Sequence, residues 1–122
     1  MPKTILIVED NEKNLKLFRE IIASLGYQTL IAREGEEGIR LAKENIPDLI
    51  LMDIQMPVID GREAFRILKA YPMTRDIPVI ALTSYAMRGD KEMFLGEGFC
   101  DYISKPIDVK KFMNTIKSIL GE

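Results

Sequence analysis

Side chains able to do chemistry fall directly after short strand-like runs. Glu9 and Asp10 follow Ile5-Leu6-Ile7-Val8, Asp53 follows Leu49-Ile50-Leu51-Met52, Thr83 and Ser84 follow Val79-Ile80-Ala81-Leu82, and Lys105-Pro106 follows Asp101-Tyr102-Ile103-Ser104. The carboxylates are hard oxygen donors, too few to form a full cage. They suit Mg²⁺, which keeps several waters and a substrate phosphate oxygen. Three carboxylates against one ammonium would repel a phosphorylated donor, and a divalent cation removes that repulsion. Each piece alone has an ordinary explanation: Asp10 or Asn11 as a helix cap, Lys105 as a solvated surface lysine, Thr83 as a strand-end residue. Asp53 is harder to explain in this way, because an unpaired acid at the end of a buried strand is costly. Four strand ends with complementary chemistry point to one site.

The elements that must position these residues are five strand-like runs alternating with five helical patterns. The runs are Thr4–Val8, Tyr27–Ile31, Leu49–Met52, Val79–Leu82 and Asp101–Ser104. Strands separated by helical stretches imply βαβ units and a parallel sheet. The first, third and fourth runs are apolar at nearly every position, as in strands covered on both faces, while Gln28 and Thr29 interrupt the second. The second strand is therefore expected at an edge. With right-handed crossovers, the simplest arrangement is a doubly wound (βα)5 α/β three-layer sandwich of flavodoxin-like topology with parallel order 2-1-3-4-5. Neighbouring strands lie about 4.8 Å apart, so the acids after the first and third can share a cation. Lys105, two strands from Asp53, has roughly 10 Å to cover with a long side chain.

Helical periodicity is clearest at the two ends of the chain. Leu15, Phe18, Ile22 and Leu25 share one face, with Gly26 as the stop. Val109, Phe112, Ile116 and Ile119 share another, with Asp108 as the N-cap. Between the fourth and fifth strands, residues 84–98 hold three of the eight glycines, Gly89, Gly96 and Gly98. Glycine weakens a helix interior by about 1 kcal/mol, which suits a segment that moves, although Gly96 and Gly98 serve equally well to end the helix. Met87, Met93 and Phe94 are expected in the core, with an exposed recognition surface as the alternative. Gly61 after Asp60 reads as a tight turn into the third helix, and Pro78 as the opening of the fourth strand.

The sequence has 122 residues, 47% hydrophobic and 30% charged, which fits a single domain over 1–122. A net charge of −2 with scattered basic residues argues against direct nucleic-acid binding. No stretch approaches membrane-spanning length and the N-terminus lacks a signal-peptide pattern, so the expected location is the cytoplasm. One cysteine, Cys100, and no histidine exclude an internal disulfide, a His-assisted thiol nucleophile and a His-containing zinc site. Cys100, beside Phe99, is expected as a reduced core residue.

The pattern resembles a response-regulator receiver domain over essentially the whole chain. The resemblance rests on Glu9-Asp10, the run Asp53-Ile54-Gln55-Met56-Pro57-Val58-Ile59-Asp60-Gly61, Thr83 and Lys105-Pro106. Within that family the chain is most similar to single-domain cell-division regulators of the DivK kind, through Val8-Glu9-Asp10-Asn11, the segment from Asp48 to Gln55, and Tyr102-Ile103-Ser104-Lys105-Pro106. The resemblance implies a two-component phosphorelay protein rather than a conventional enzyme, one that assists its own phosphorylation and dephosphorylation. It makes Asp53 the phosphoacceptor and assigns Mg²⁺, or Mn²⁺, to Asp10, Asp53, Glu9 and the Gln55 backbone carbonyl. Lys105 and Thr83 would then contact the phosphoryl group, with Thr83 and Tyr102 as switch residues and a cis peptide before Pro106. The family often has Asp where Glu9 stands. Implied partners are a sensor histidine kinase or histidine phosphotransfer protein and a downstream protein effector, with the regulator a monomer or a phosphorylation-dependent dimer.

Other chemistries fit less well. An aspartate-nucleophile phosphatase of the haloacid dehalogenase type wants a second acid two residues after Asp53, where Gln55 stands. A flavin module of flavodoxin type wants a phosphate cradle where Glu9-Asp10-Asn11 would repel one. A receiver-like protein that binds without phosphorylation is the third reading.

Overall fold

The computed structural model describes residues 2–84 and 86–121. Its order is β1 (Thr4–Val8), α1 (Glu12–Ser24), β2 (Gln28–Ala32), α2 (Gly35–Asn45), β3 (Leu49–Asp53), α3 (Gly61–Ala70), β4 (Val79–Thr83), α4 (Asp90–Glu97), β5 (Asp101–Ser104) and α5 (Val109–Leu120). The sheet is parallel in the order β2-β1-β3-β4-β5, as expected, with the polar second strand at an edge. Three strands differ by one residue: Asp53 and Thr83 are the last residues of β3 and β4, and the second strand begins and ends one residue later, at Gln28 and Ala32.

Alternation along the strands divides the core in two. Ile5, Ile7, Leu49, Leu51, Ile80 and Leu82 pack with residues of α1 and α5, including Phe18 and Phe112. Leu6, Val8, Ile50, Met52, Val79 and Ala81 pack with residues of α2, α3 and α4 on the other face. Continued past the apolar run, the same period aims Glu9 and Asp53 toward the α1/α5 side and Thr83 toward the α4 side. The register makes these ends coincide, since Val8 pairs with Met52, Asp53 with Leu82, and Thr83 with Ser104.

The helices begin and end as the local chemistry dictates. Asn11, Asp60 and Asp108 accept hydrogen bonds from the backbone N–H groups of Asn14, Glu63 and Lys111, capping α1, α3 and α5. Gly26, at φ 87°, terminates α1 as expected. α4 is the exception. It spans 8 residues, its N-cap Gly89 makes no side-chain cap bond, and Phe94 is its buried residue. Gly98 ends it in the left-handed region. Arg62 of α3 forms an ion pair with Glu97 at its C-terminal end and lies over the Phe94 ring.

Two expectations are corrected. Met93 is exposed, because so short a helix buries only one position, which Phe94 takes, and Met87 is exposed in the loop that precedes it. Cys100 lies at the surface while Phe99 fills the core, stacked on Phe65 with centroids 3.9 Å apart. Atoms packed round the Cys100 sulfur and the neighbouring Asp101 charge push its thiol up to about 11, which keeps it an unreactive thiol. Tyr102 lies on the α4 face of β5, its ring 5.8 Å from that of Phe94.

Candidate functional site

β1 and β3, central and adjacent, deliver Glu9 and Asp53 side by side, and their burial follows from their place at the ends of covered strands. Glu9 is fully buried and Asp53 is 2% exposed, whereas Asp10 is open to solvent. Lys105 reaches over from the end of β5. Its Nζ stands 2.9 Å from Glu9 Oε1 and 3.2 Å from Asp53 Oδ1. The second Glu9 oxygen accepts from the Asn11 N–H at 3.1 Å. The Lys105–Pro106 peptide is cis.

Electrostatics follow from this packing. Burial, reinforced by the Glu9 charge and only partly offset by Lys105, raises the Asp53 carboxyl to about 7. For Lys105, burial alone would lower the pKa, but the Glu9 and Asp53 carboxylates outweigh it and hold the ammonium above its ordinary value. The sheet rim thus carries a charged lysine and an Asp53 carboxyl whose ionisation beside Glu9 is unfavourable without a further cation.

Carboxylate oxygens of Glu9, Asp10 and Asp53 all lie within 4.8 Å of one another. Hard oxygens at that spacing, one on an exposed residue, fit a divalent cation that retains water on its open side. The donor set therefore fits Mg²⁺.

Gln55 connects this cluster to Thr83. Its N–H donates to Asp53 Oδ1 at 3.2 Å, its Nε2 donates to Thr83 Oγ1 at 2.9 Å, and its Oε1 accepts from the Ser84 N–H at 2.9 Å. Of the residues singled out from sequence, Glu9, Asp10, Asp53 and Lys105 come together in one cluster. Thr83, buried at 1% exposure, joins it through Gln55, while Tyr102 stays half-buried beside Phe94.

Two contributions escaped sequence reasoning. The Gln55 side chain reaches Thr83 and Ser84, and nothing in the local sequence signals that reach. Gly61 does more than turn the chain: a Cβ there would stand 2.2 Å from the Asp53 carbonyl oxygen, so only glycine lets α3 begin against the end of β3. The Asp60-Gly61 pair, seven and eight residues after Asp53, is the available signal.

Comparison with known proteins agrees with this geometry. The family model described as response regulator receiver domain matches residues 5–117. The chain is 54% identical over 123 residues to the polar-differentiation response regulator DivK of Brucella anthropi, covering 100% of this chain and 99% of that protein. Its counterpart from Brucella ovis is 53% identical with the same coverage. Among solved structures, the receiver domain of a sensor histidine kinase from Pseudomonas aeruginosa PAO1, with a magnesium ion coordinated in its active-site cleft, has a TM-score of 0.89 at 35% identity. That likeness covers 100% of both chains. With a family model spanning nearly the whole sequence and full-length relatives above half identity, this chain belongs to the response-regulator receiver domains.

Proposed function

We propose that this chain is a phosphorelay response regulator in which Asp53 accepts a phosphoryl group from a phosphohistidine on another protein and the change in charge is read by a protein effector. The observation that carries the reading is a nearly inaccessible Asp53 carboxyl, paired with Lys105 and crowded by Glu9, at the end of a central strand. The sequence contains no histidine, which supports a donor histidine on a sensor histidine kinase or a histidine phosphotransfer protein.

In the transfer, an Asp53 oxygen forms the new P–O bond while the P–N bond to the donor imidazole breaks and its electron pair leaves with the ring. Glu9, Asp10 and Asp53, with the Gln55 backbone carbonyl, would hold Mg²⁺; Mn²⁺ fits the same oxygen donors. The bound cation supplies charge neutralisation for the transferring group. Lys105 pairs with the phosphoryl oxygens and Thr83 donates its hydroxyl to them. Hydrolysis of the acyl phosphate by water at the same site returns the carboxylate. Phosphorylation adds roughly two negative charges, and the weakly anchored α4, with Tyr102 beside Phe94, is the element placed to respond. Among the described residues no helix is long and apolar enough to cross a membrane. We place the regulator in the cytoplasm, as a monomer or a phosphorylation-dependent dimer.

Incubation with acetyl phosphate, with and without Mg²⁺, tests the reading by intact mass. One phosphoryl addition that requires both Mg²⁺ and Asp53, and is lost in Asp53→Asn, is the expected result. No addition would overturn it in favour of a receiver-like protein that binds without phosphorylation.

A further inference from the structure

We propose that the Gln55 side chain is a latch that holds the end of β4 in the resting state and must let go when a phosphoryl group occupies Asp53. The inference rests on the function proposed above and adds a positioning residue to it. One carboxamide uses both its donor and its acceptor on the last residue of β4 and the residue after it: Nε2 to Thr83 Oγ1 and Oε1 from Ser84 N–H, each at 2.9 Å. Backbone N–H of the same residue touches Asp53 Oδ1. Gln55 therefore stands between the acceptor carboxyl and the two residues at the end of β4.

The chemistry makes this arrangement competitive. Thr83 O–H and Ser84 N–H are hydrogen-bond donors at the end of the strand next to Asp53, and the Ser84 donor is already satisfied by the Gln55 oxygen. A phosphoryl oxygen on Asp53 is an anionic acceptor, and hydrogen bonds to ionised groups are roughly twice as strong as neutral ones. The anion therefore displaces the carboxamide. Gln55 is half-buried and Ser84 exposed, so water can take over the released carboxamide without a buried polar group being stranded. A few residues beyond Ser84, α4 begins without a side-chain cap and with Phe94 as its buried anchor. Release of the latch thus reaches the element with the least holding it.

A rigid brace would behave in the opposite way, because removing a group that pre-positions Thr83 weakens binding of the phosphoryl group. The test uses beryllofluoride as the phosphoryl mimic at saturating Mg²⁺, with the full chain and two variants. Gln55→Ala removes the side chain. Gln55→Met keeps its length and removes both hydrogen bonds. The latch predicts that the beryllofluoride midpoint falls about three- to tenfold in both variants, the size of one weak hydrogen bond lost from the resting state. It also predicts that the Gln55 side-chain NH₂ of the parent exchanges faster with water once beryllofluoride is bound. An unchanged or raised midpoint in both variants, with a parent that binds the mimic, overturns the latch and leaves the receiver reading intact. A parent that binds no beryllofluoride at all overturns the receiver reading, and the latch with it.

Discussion

Lys105 and Glu9, 96 residues apart in the chain, meet at 2.9 Å between Nζ and Oε1 with side chains only 10% and 1% exposed. Lys105 also holds Asp53, so one ammonium is divided between two buried acids. Buried ion pairs seldom repay their desolvation in stability. This one is better understood as a resting counter-charge, a stand-in for part of the positive charge that Mg²⁺ brings to the same oxygens.

Lys105→Met should therefore be strongly destabilising without metal. Two buried carboxylates would be left without their cation, a loss on the order of 3–5 kcal/mol at neutral pH. Lowering the pH or adding Mg²⁺ should recover much of it, because either one relieves the repulsion between Glu9 and Asp53. Urea unfolding at pH 5 and 7.5, with and without Mg²⁺, checks this; equal losses under all conditions would contradict the counter-charge role.

Asp53→Asn should have the opposite effect. The folded carboxyl titrates at about 7, above the value near 3.9 of an unfolded chain. Between those values the native state binds the extra proton, so this group's contribution is fully favourable below about pH 4 and is lost as pH rises through 7. Without metal, the variant should exceed the parent by about 2–4 kcal/mol at pH 8, with the difference vanishing near pH 4. Paired denaturation curves across that range give the measurement, and a variant less stable than the parent at pH 8 would refute the assignment.

Gly61→Ala and Gly96→Ala should differ in sign. At Gly61 the new Cβ meets the Asp53 carbonyl oxygen at 2.2 Å and the Ile54 Cα at 2.8 Å, so the backbone of Asp53 must shift. The expected loss is about 3 kcal/mol, the upper part of the range for overpacking, together with slower phosphorylation by acetyl phosphate. At Gly96, in the interior of α4 with nothing within 4 Å, alanine should stabilise by about 0.5–1 kcal/mol. Thermal unfolding of both variants decides the matter.

Val58 should be improvable. It is 96% exposed and sits at φ 67°, a left-handed conformation that a β-branched side chain adopts at a cost. Val58→Gly removes that strain without removing a core contact, and should raise stability by about 1 kcal/mol in chemical denaturation.

Much of the fold was legible because its signals are local. The apolar runs at 5–8, 49–52 and 79–82 gave the covered strands, Gln28 and Thr29 the edge, and Asn11, Gly26 and Asp108 the ends of helices. The clustering of Glu9, Asp10, Asp53 and Lys105 could be anticipated from strand ends in a parallel sheet, since that topology gathers them on one rim. The misjudged residues, Met87, Met93 and Cys100, all lie between β4 and β5. Burial there depends on which residue reaches the Phe65–Phe99 stack, and no period in so short a helix decides that.

The sequence by itself determined the element order, the family and the set of charged groups on the rim, because periodicity, capping and strand-end chemistry act within a few residues of each other. Tertiary structure alone decided that Lys105 is shared between Glu9 and Asp53, that Gln55 spans to Thr83 and Ser84, and that Gly61 closes against Asp53. Those are relations between different strands and helices, fixed by register and by the face toward which each side chain points. A hydrogen bond or an ion pair exists only once both have been set.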